Sequence, residues 1–354
     1  MPFEHSPLPS DHPLFRRPDN ELRKLTRACQ QGNQNPWLIY GEYQMGKTTF
    51  LNALASDLRT TGTYVCEINL AAYRGIHSME LVYKNISDEV ARVTTVPNND
   101  FRFCCPLDLE IYLRQVIEAL NLRRDPQISV IRPCLVLLID NYGQLEKLLQ
   151  DDLSDGLVCL AEDRPKYTEL SWVTLVITGG NFAQIDTGLS RLVDQAGQNI
   201  LTLPELREED TVILVQTGLK GHAGISADRA ASIGKYIYQR TEGHPALVHM
   251  LGTMFEKEYD EHPAEGDEQL MNNAADCLVE TLLGPSQRFY KRVAPKGDLQ
   301  LAKEACIMEK DSVPYRMSND AVKRQAWIGL IKGNSQSRCV IRNGIFRRVL
   351  SAFP

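Results

Sequence analysis

No stretch of the 354 residues is apolar over the roughly 18 consecutive positions that a membrane-crossing helix needs, and the first ten residues lack the apolar segment of a secretory leader. Both absences point away from a membrane and towards a cytoplasmic protein. Metal-type cysteine spacing is missing as well. None of the nine cysteines stands in a C-x-x-C pair, and the adjacent Cys104 and Cys105 are poorly placed to share a metal. Others, such as Cys66 and Cys134, lie within apolar runs, as reduced, buried thiols do. An excess of positive charge is also lacking. A net charge of −6 and a pI near 5.7 weigh against broad, sequence-independent binding of nucleic acid, although a local basic face survives that average. Internal repeats, low-complexity tracts and a recognisable effector domain are absent too, so the protein is expected to act through another chain.

What is present is ordinary globular material: 43% hydrophobic and 24% charged residues, enough for a sizeable core. At about 150 residues per domain, the length allows two or three domains. The organising stretch is Trp37-Leu38-Ile39-Tyr40-Gly41-Glu42-Tyr43-Gln44-Met45-Gly46-Lys47-Thr48-Thr49, an apolar strand running into a glycine-bounded loop and then a helix. It fits G-x-x-x-x-G-K-[ST] at every fixed position. A triphosphate needs converging backbone N–H groups, a positive point charge and a hydroxyl for Mg²⁺. Gly41 and Gly46 permit the tight curl that brings the backbone of Gln44, Met45 and Thr49 to the phosphates. Lys47 supplies the charge and Thr48 the metal-ligating hydroxyl. The helix N-terminus at Lys47 adds its partial positive charge. Phe50, Leu51, Leu54 and Leu58 form one apolar helical face, which gives the motif its context.

A second strand is expected over Thr63 to Leu70, followed by a helical region from His77 to Leu122. Its packing faces include Leu107, Ile111, Leu113, Val116, Ile117 and Leu120. Then Cys134-Leu135-Val136-Leu137-Leu138-Ile139-Asp140-Asn141 reads as a buried central strand that delivers one carboxylate, Asp140, to Mg²⁺. Asn141 occupies the place where an ATPase often carries a glutamate to activate water. An amide accepts no proton, so hydrolysis is expected to be slow, with Asn141 orienting water at most; Glu146 is a weak substitute. A third strand, Trp172 to Thr178, ends in Gly179-Gly180-Asn181. Thr178 or Asn181 is placed to sense the γ-phosphate, and Gly-Gly-Asn is equally turn chemistry in its own right. Arg191, before a strand at Asn199 to Leu203, reads as an exposed salt-bridging residue, with a trans-acting arginine as the alternative if subunits assemble. Strands alternating with helices make the first domain a parallel α/β sheet.

Ahead of the loop, a helix containing Leu22, Leu25 and Cys29 follows Leu14-Phe15-Arg16-Arg17, with Asp19 or Asn20 as N-cap. Arg17 stands where it could reach a nucleotide. Beyond Leu203-Pro204-Glu205-Leu206 the pattern is wholly helical. One of these helices opens at Gly243-His244-Pro245, where Pro245 suits the first turn and His244 could donate to a phosphate.

This ordered set of motifs resembles the STAND branch of AAA+-related ATPases, close to bacterial AAA-like modules of conflict and signalling proteins. The resemblance implies a switch between ATP and ADP, with Arg17 approaching the nucleotide and His244 touching the β-phosphate in the closed ADP state. Two positions depart from the family pattern: Arg16 stands where glycine is usual, and Asn141 where an acid is usual.

A charged stretch from Asp260 to Glu268 reads as a linker. After it come helices, a Gly333-Asn334 turn between two short strands, and a closing helix around Ile345 to Leu350. This order is similar to a winged helix. Lys323, Arg324, Lys332, Arg338, Arg342, Arg347 and Arg348 make that end locally basic, which leaves DNA as a partner without making it the favoured one. The expected layout is an extended lead-in (1–13), a P-loop nucleotide-binding α/β domain (14–203), a helical lid (204–265) and a winged-helix-like domain (266–354). The expected function is an ATP- and Mg²⁺-dependent, slowly hydrolysing STAND/AAA+-type switch that controls a partner effector or sensor protein and is compatible with a homo-oligomer. The alternative is a DNA-directed AAA+ ATPase that uses its C-terminal wing.

Overall fold

The computed structural model describes residues 3, 7–32, 35–41, 44–73, 75–99, 101–123, 133–145, 147–163, 166–179, 188–283, 298–316, 319–327 and 330–352. The chain divides into two compact units. One comprises Arg17–Tyr40 and Lys47–Leu203; the other comprises Met1–Arg16, Gly41–Gly46 and Pro204–Pro354.

The first is an α/β unit. Its strands β1 (Trp37–Tyr40), β2 (Tyr64–Asn69), β3 (Leu135–Asp140), β4 (Val173–Thr178) and β5 (Ile200–Thr202) form one sheet in the order β2-β3-β4-β1-β5. Every neighbouring pair is parallel. Every residue of β3 and β4 is buried, which is why these two read as unbroken apolar runs rather than alternating ones. Around the sheet lie α1 (Asp19–Gln31), α2 (Lys47–Thr60), α3 (Met79–Thr94), α4 (Pro106–Leu122), α5 (Lys147–Glu162) and α6 (Gly188–Ala196). The face of α2 made by Phe50, Leu51, Leu54 and Leu58 is fully withdrawn from water, at roughly 1.5–3 kcal/mol of stabilisation per side chain.

Two local expectations need correction. The residue preceding α1 is Pro18, and neither Asp19 nor Asn20 is its cap. Instead Asp19 sits inside the first turn, where its carboxylate complements the helix dipole. Leu107 is 55% exposed, because the buried stripe of α4 runs through Leu109, Tyr112, Leu113, Val116, Ile117 and Leu120 and leaves position 107 on the other side.

The second unit is helical with one hairpin. It contains α7 (Glu208–Gly218), α8 (Ala227–Thr241), α9 (Pro245–Glu261), α10 (Asp267–Leu283), α11 (Asp298–Lys310), α12 (Asp320–Trp327) and α13 (Gly344–Ala352), with β6 (Ile331–Gly333) antiparallel to β7 (Cys339–Ile341). One apolar cluster runs from Leu214 to Leu350 and takes in Phe3, Leu8 and Leu14. Phe3 wedges between helices: a Cβ on Gly218 would lie 2.5 Å from its ring, and one on Gly252 2.6 Å. The N-terminal segment is thereby anchored by packing at Phe3 and Leu8.

The hairpin turn falls two residues later than the Gly333-Asn334 reading, at Ser335 and Gln336, where the Ser337 N–H donates to the Asn334 carbonyl at 2.9 Å. Gly333 pairs with Cys339 inside the ladder, and Asn334 closes the loop by accepting from the backbone N–H groups of Gln336 and Arg338 on its side-chain oxygen. Gly333 is required for a different reason, because a Cβ there would come within 2.8 Å of the Tyr315 ring.

Candidate nucleotide site

The register of the sheet brings three polar residues to its carboxyl-terminal edge. Asn69 of β2 pairs with Asp140 of β3, and Thr178 ends β4 beside it. Ligand crevices of open parallel α/β sheets lie at this edge, outside the carboxyl ends of the strands.

Asp140, 7% exposed, is held by four donors. Thr48 Oγ1 donates to its Oδ2 at 2.6 Å, the Asn141 backbone N–H to Oδ1 at 2.8 Å and the Asn141 side-chain amide to Oδ2 at 3.1 Å, while the fully buried Thr178 hydroxyl donates to Oδ1. Four donors match the four lone-pair sites of a carboxylate, so Asp140 is fixed in orientation. The longest of the four comes from the Asn141 amide, which has a second acceptor in Asn69 Oδ1 at 3.0 Å. That amide is the donor that can yield to a metal-bound water with the smallest loss.

Lys47 opens α2 and is half-buried. Desolvation pushes its ammonium down to about 8, an effect that the nearby Asp140 carboxylate partly offsets. A cation whose charged form is disfavoured by desolvation is stabilised by an anionic ligand. Gly46 takes φ 81°, a left-handed conformation that favours glycine; Gln44, at φ 62°, adopts it as well and is exposed, whereas Met45 is buried. Gly41 is not left-handed, so its contribution is small size. Thr49 is buried on the first turn of α2.

These donors fit Mg²⁺ and a polyphosphate. The Thr48 hydroxyl gives its only proton to Asp140 and so presents oxygen lone pairs, Asp140 suits the hydration shell of the ion, and Lys47 suits the phosphate charge. The bound ion would offset the charge of the phosphate oxygens. Asn141 adopts the left-handed conformation at φ 59°, which an asparagine tolerates and most residues do not.

Arg17 lies elsewhere. Its guanidinium bonds both Asp57 oxygens, at 2.7 and 3.0 Å, and Asp19 at 3.3 Å. Asp57 stands ten residues along α2 from Lys47, about 15 Å at 1.5 Å per residue, so Arg17 braces that helix far from its phosphate end. Thr178 is aimed at Asp140 and completely buried, which makes it an orienting residue for the carboxylate. Asn181 and Glu146 lie outside the described residues. Arg191 pairs with Asp155 and Glu162 at 3.4 Å on the surface, as its sequence context indicated. Asn69 went unnoticed in the sequence. Its signal was a polar residue closing the second strand, legible only once β2 is known to lie beside β3.

In the second unit, His244 caps α9: its Nδ1 accepts from the Leu247 N–H at 3.5 Å and its ring meets Phe346 edge-on at 5.9 Å. It is 1% exposed. Pro245 occupies the first turn of α9, as expected of a residue without an N–H. Gly243 lies at φ 77° against Leu206, whose N–H donates to its carbonyl at 2.9 Å; a Cβ on Gly243 would lie 1.9 Å from the Leu206 oxygen. The Leu-Pro-Glu-Leu segment and the Gly-His-Pro turn are therefore one interlocked feature.

Residues 15–251 match the model of a family described as an ATPase domain predominantly from Archaea. No curated protein matches the sequence. Among solved structures, the ORC2 protein of Aeropyrum pernix, determined as ADPNP–ADP complexes, superposes with a TM-score of 0.57 at 11% identity over 96% of this chain and 95% of that one. Cdc6p of Pyrobaculum aerophilum gives 0.49 at 15% identity over 96% of each chain, and the Aeropyrum pernix ORC1 protein, in complex with DNA, gives 0.48 at 13% identity over 96% and 93%. At such identities the likeness is one of fold. The parallel five-stranded sheet with flanking helices is the AAA+ P-loop α/β fold.

Proposed function

Since the chain belongs to this family of ATPase domains and is a P-loop ATPase of the AAA+ type, using ATP and ADP with Mg²⁺, we propose that it is a DNA-directed ATPase. In this reading nucleotide turns over at Lys47, Thr48 and Asp140, and the C-terminal end carries a nucleic-acid contact. The observation that carries it is a reversal of charge along the chain. Residues 266–354 hold 14 lysines and arginines against 9 aspartates and glutamates, a net of +5 within a chain of net −6. The order α12, β6, β7, α13 suits a winged helix following a helical lid at 204–265. On the hairpin, Arg338 donates to the carbonyl of Ser312 at 2.7 Å and has no carboxylate partner among the described residues. The test is fluorescence anisotropy of a labelled DNA duplex with ATP and Mg²⁺ across a salt series. Binding that weakens linearly with log salt, and weakens further in Arg338→Glu, supports the reading; no binding at low salt removes it.

A second reading, the STAND-type switch acting on a partner protein, is favoured by a separate observation. Most of the basic residues singled out at this end have internal partners. Arg342 Nε bonds Glu205 at 2.9 Å and Arg347 bonds Glu309 at 2.6 Å, while Lys332 pairs with Glu242 and Arg348 with Asp276. In that reading His244 couples nucleotide state to the lid, and the wing stays docked on the helices. Hydrolysis is slow in either case, because Asn141 replaces a general base. A partner recovered with the ATP-loaded protein and lost with ADP, in the absence of any DNA binding, would select the switch.

A further inference from the structure

On the α/β unit, α1 and the residues just before β5 line an open cleft of about 600 Å³. Its charged lining is of one sign. Arg23, Lys24 and Arg27 project from α1, Asn20 and Asn199 add amides, Trp37 forms the floor, and no carboxylate lines it among the described residues. Among the described residues none of the three cations is paired with a carboxylate either. Arg23 is steadied by the Asp19 carbonyl at 3.1 Å and by Asn20 Oδ1 at 3.0 Å, which leaves further guanidinium N–H groups available, and Lys24 Nζ lies 5.3 Å from the Trp37 ring centre. Trp37 is 4% exposed, and its indole N–H has no hydrogen-bond partner among the described residues. A buried donor left without an acceptor is costly, and here it belongs to a residue lining the cleft.

We infer that this cleft is a second contact for the phosphodiester backbone of nucleic acid, carried by the ATPase unit itself. The inference rests on the nucleic-acid reading above but on none of its residues. A lining rich in donors and free of carboxylates asks for an anion rich in acceptors. Arg23 and Arg27, one helical turn apart with Cβ atoms about 5–6 Å from one another, lie within side-chain reach of successive phosphates. The cleft is open, which suits a strand passing through better than an enclosed small molecule. In a chain of net −6, a basic face with no carboxylate beside it among the described residues is also where a polyanion can approach with little repulsion.

The experiment compares the full chain with Arg23→Gln/Arg27→Gln and, separately, with Asn20→Asp, which places a carboxylate in the cleft while keeping both arginines. Each is titrated with a fluorescein-labelled DNA duplex and with phosphatidylserine vesicles, and circular dichroism melts check the fold. The double variant should bind DNA about tenfold or more weakly at low salt, with a log–log salt slope smaller by about 2, at roughly 0.9 per lost phosphate contact. Asn20→Asp should weaken binding about threefold by like-charge repulsion. Basal ATP turnover should be unchanged in both. Unaltered DNA binding by both variants, with loss in Arg338→Glu, overturns the cleft and leaves the DNA reading standing. Loss in the cleft variants alone keeps the cleft and moves the contact away from the C-terminal hairpin. Absence of DNA binding by the unaltered protein ends both readings, and vesicle binding that depends on Arg23 and Arg27 without DNA binding assigns the cleft to a lipid surface instead.

Discussion

The two units treat their charges in opposite ways. In the α/β unit the polar groups at the strand ends converge on one carboxylate, and near it a half-buried lysine is pushed down to about 8 by desolvation, which that carboxylate partly offsets. In the other unit the conspicuous cations are tied to acids of the same unit. Arg342, the most buried of them, is pushed down to about 10 by burial yet still bonds Glu205, whose own carboxyl burial raises. A region whose buried cation is pushed down by desolvation is suited to receive an anion, whereas one that ties its cations to its own acids is built to hold its shape. Basic residues counted in a sequence therefore say little until their partners are seen.

The sharpest break in this comparison should come at Lys47. Lys47→Ala removes the phosphate charge from a dry setting and should lower turnover by about 10²–10³-fold while leaving the melting temperature close to unaltered; steady-state phosphate release measures it. Next in size is Arg342→Ala, which strands Glu205 and should destabilise the second unit by about 2–3 kcal/mol in urea unfolding, since both partners are mostly but not wholly buried. Turnover per folded molecule should be unaffected if that arginine is structural. Asn141→Glu should raise turnover about tenfold by supplying a proton acceptor. The gain is limited because glutamate must adopt the left-handed backbone at φ 59°, a cost of about 1–2 kcal/mol.

The smallest effect concerns pH. Bound phosphates favour charged Lys47, so nucleotide affinity should be flat below about pH 7 and fall as pH rises through 8, about fourfold between pH 7 and 8.5. In the nucleotide-free protein the same depression costs stability at low pH, and that cost fades as pH rises from 8 towards 10.5. Calorimetry in buffers of different ionisation enthalpy should show proton uptake on binding near pH 8.5.

Much of the candidate site's local arrangement was legible because it lies within short stretches of chain. Gly46, Lys47 and Thr48 are contiguous, and an unbroken apolar strand ending in Asp140 announces a buried parallel neighbour. Asn69 was hidden because its part depends on β2 lying next to β3, which sequence order does not state. The brace between Arg17 and Asp57 joins positions forty residues apart, and Thr178 turned out to orient Asp140. In the second unit, Gly333 looked like a turn glycine and is in fact a gap for the Tyr315 ring. The ion pairs of Lys332, Arg342, Arg347 and Arg348 reach partners far away along the chain, so a local reading saw only a basic end.

The most direct measurement is isothermal titration of nucleotide-stripped protein with ATP and Mg²⁺, in parallel for the unaltered chain, Lys47→Ala and Asp140→Asn. The account predicts saturable one-to-one binding that both substitutions weaken and that Mg²⁺ strengthens in the unaltered protein but not in Asp140→Asn. Equal affinity in all three, or no binding by folded unaltered protein, would contradict it.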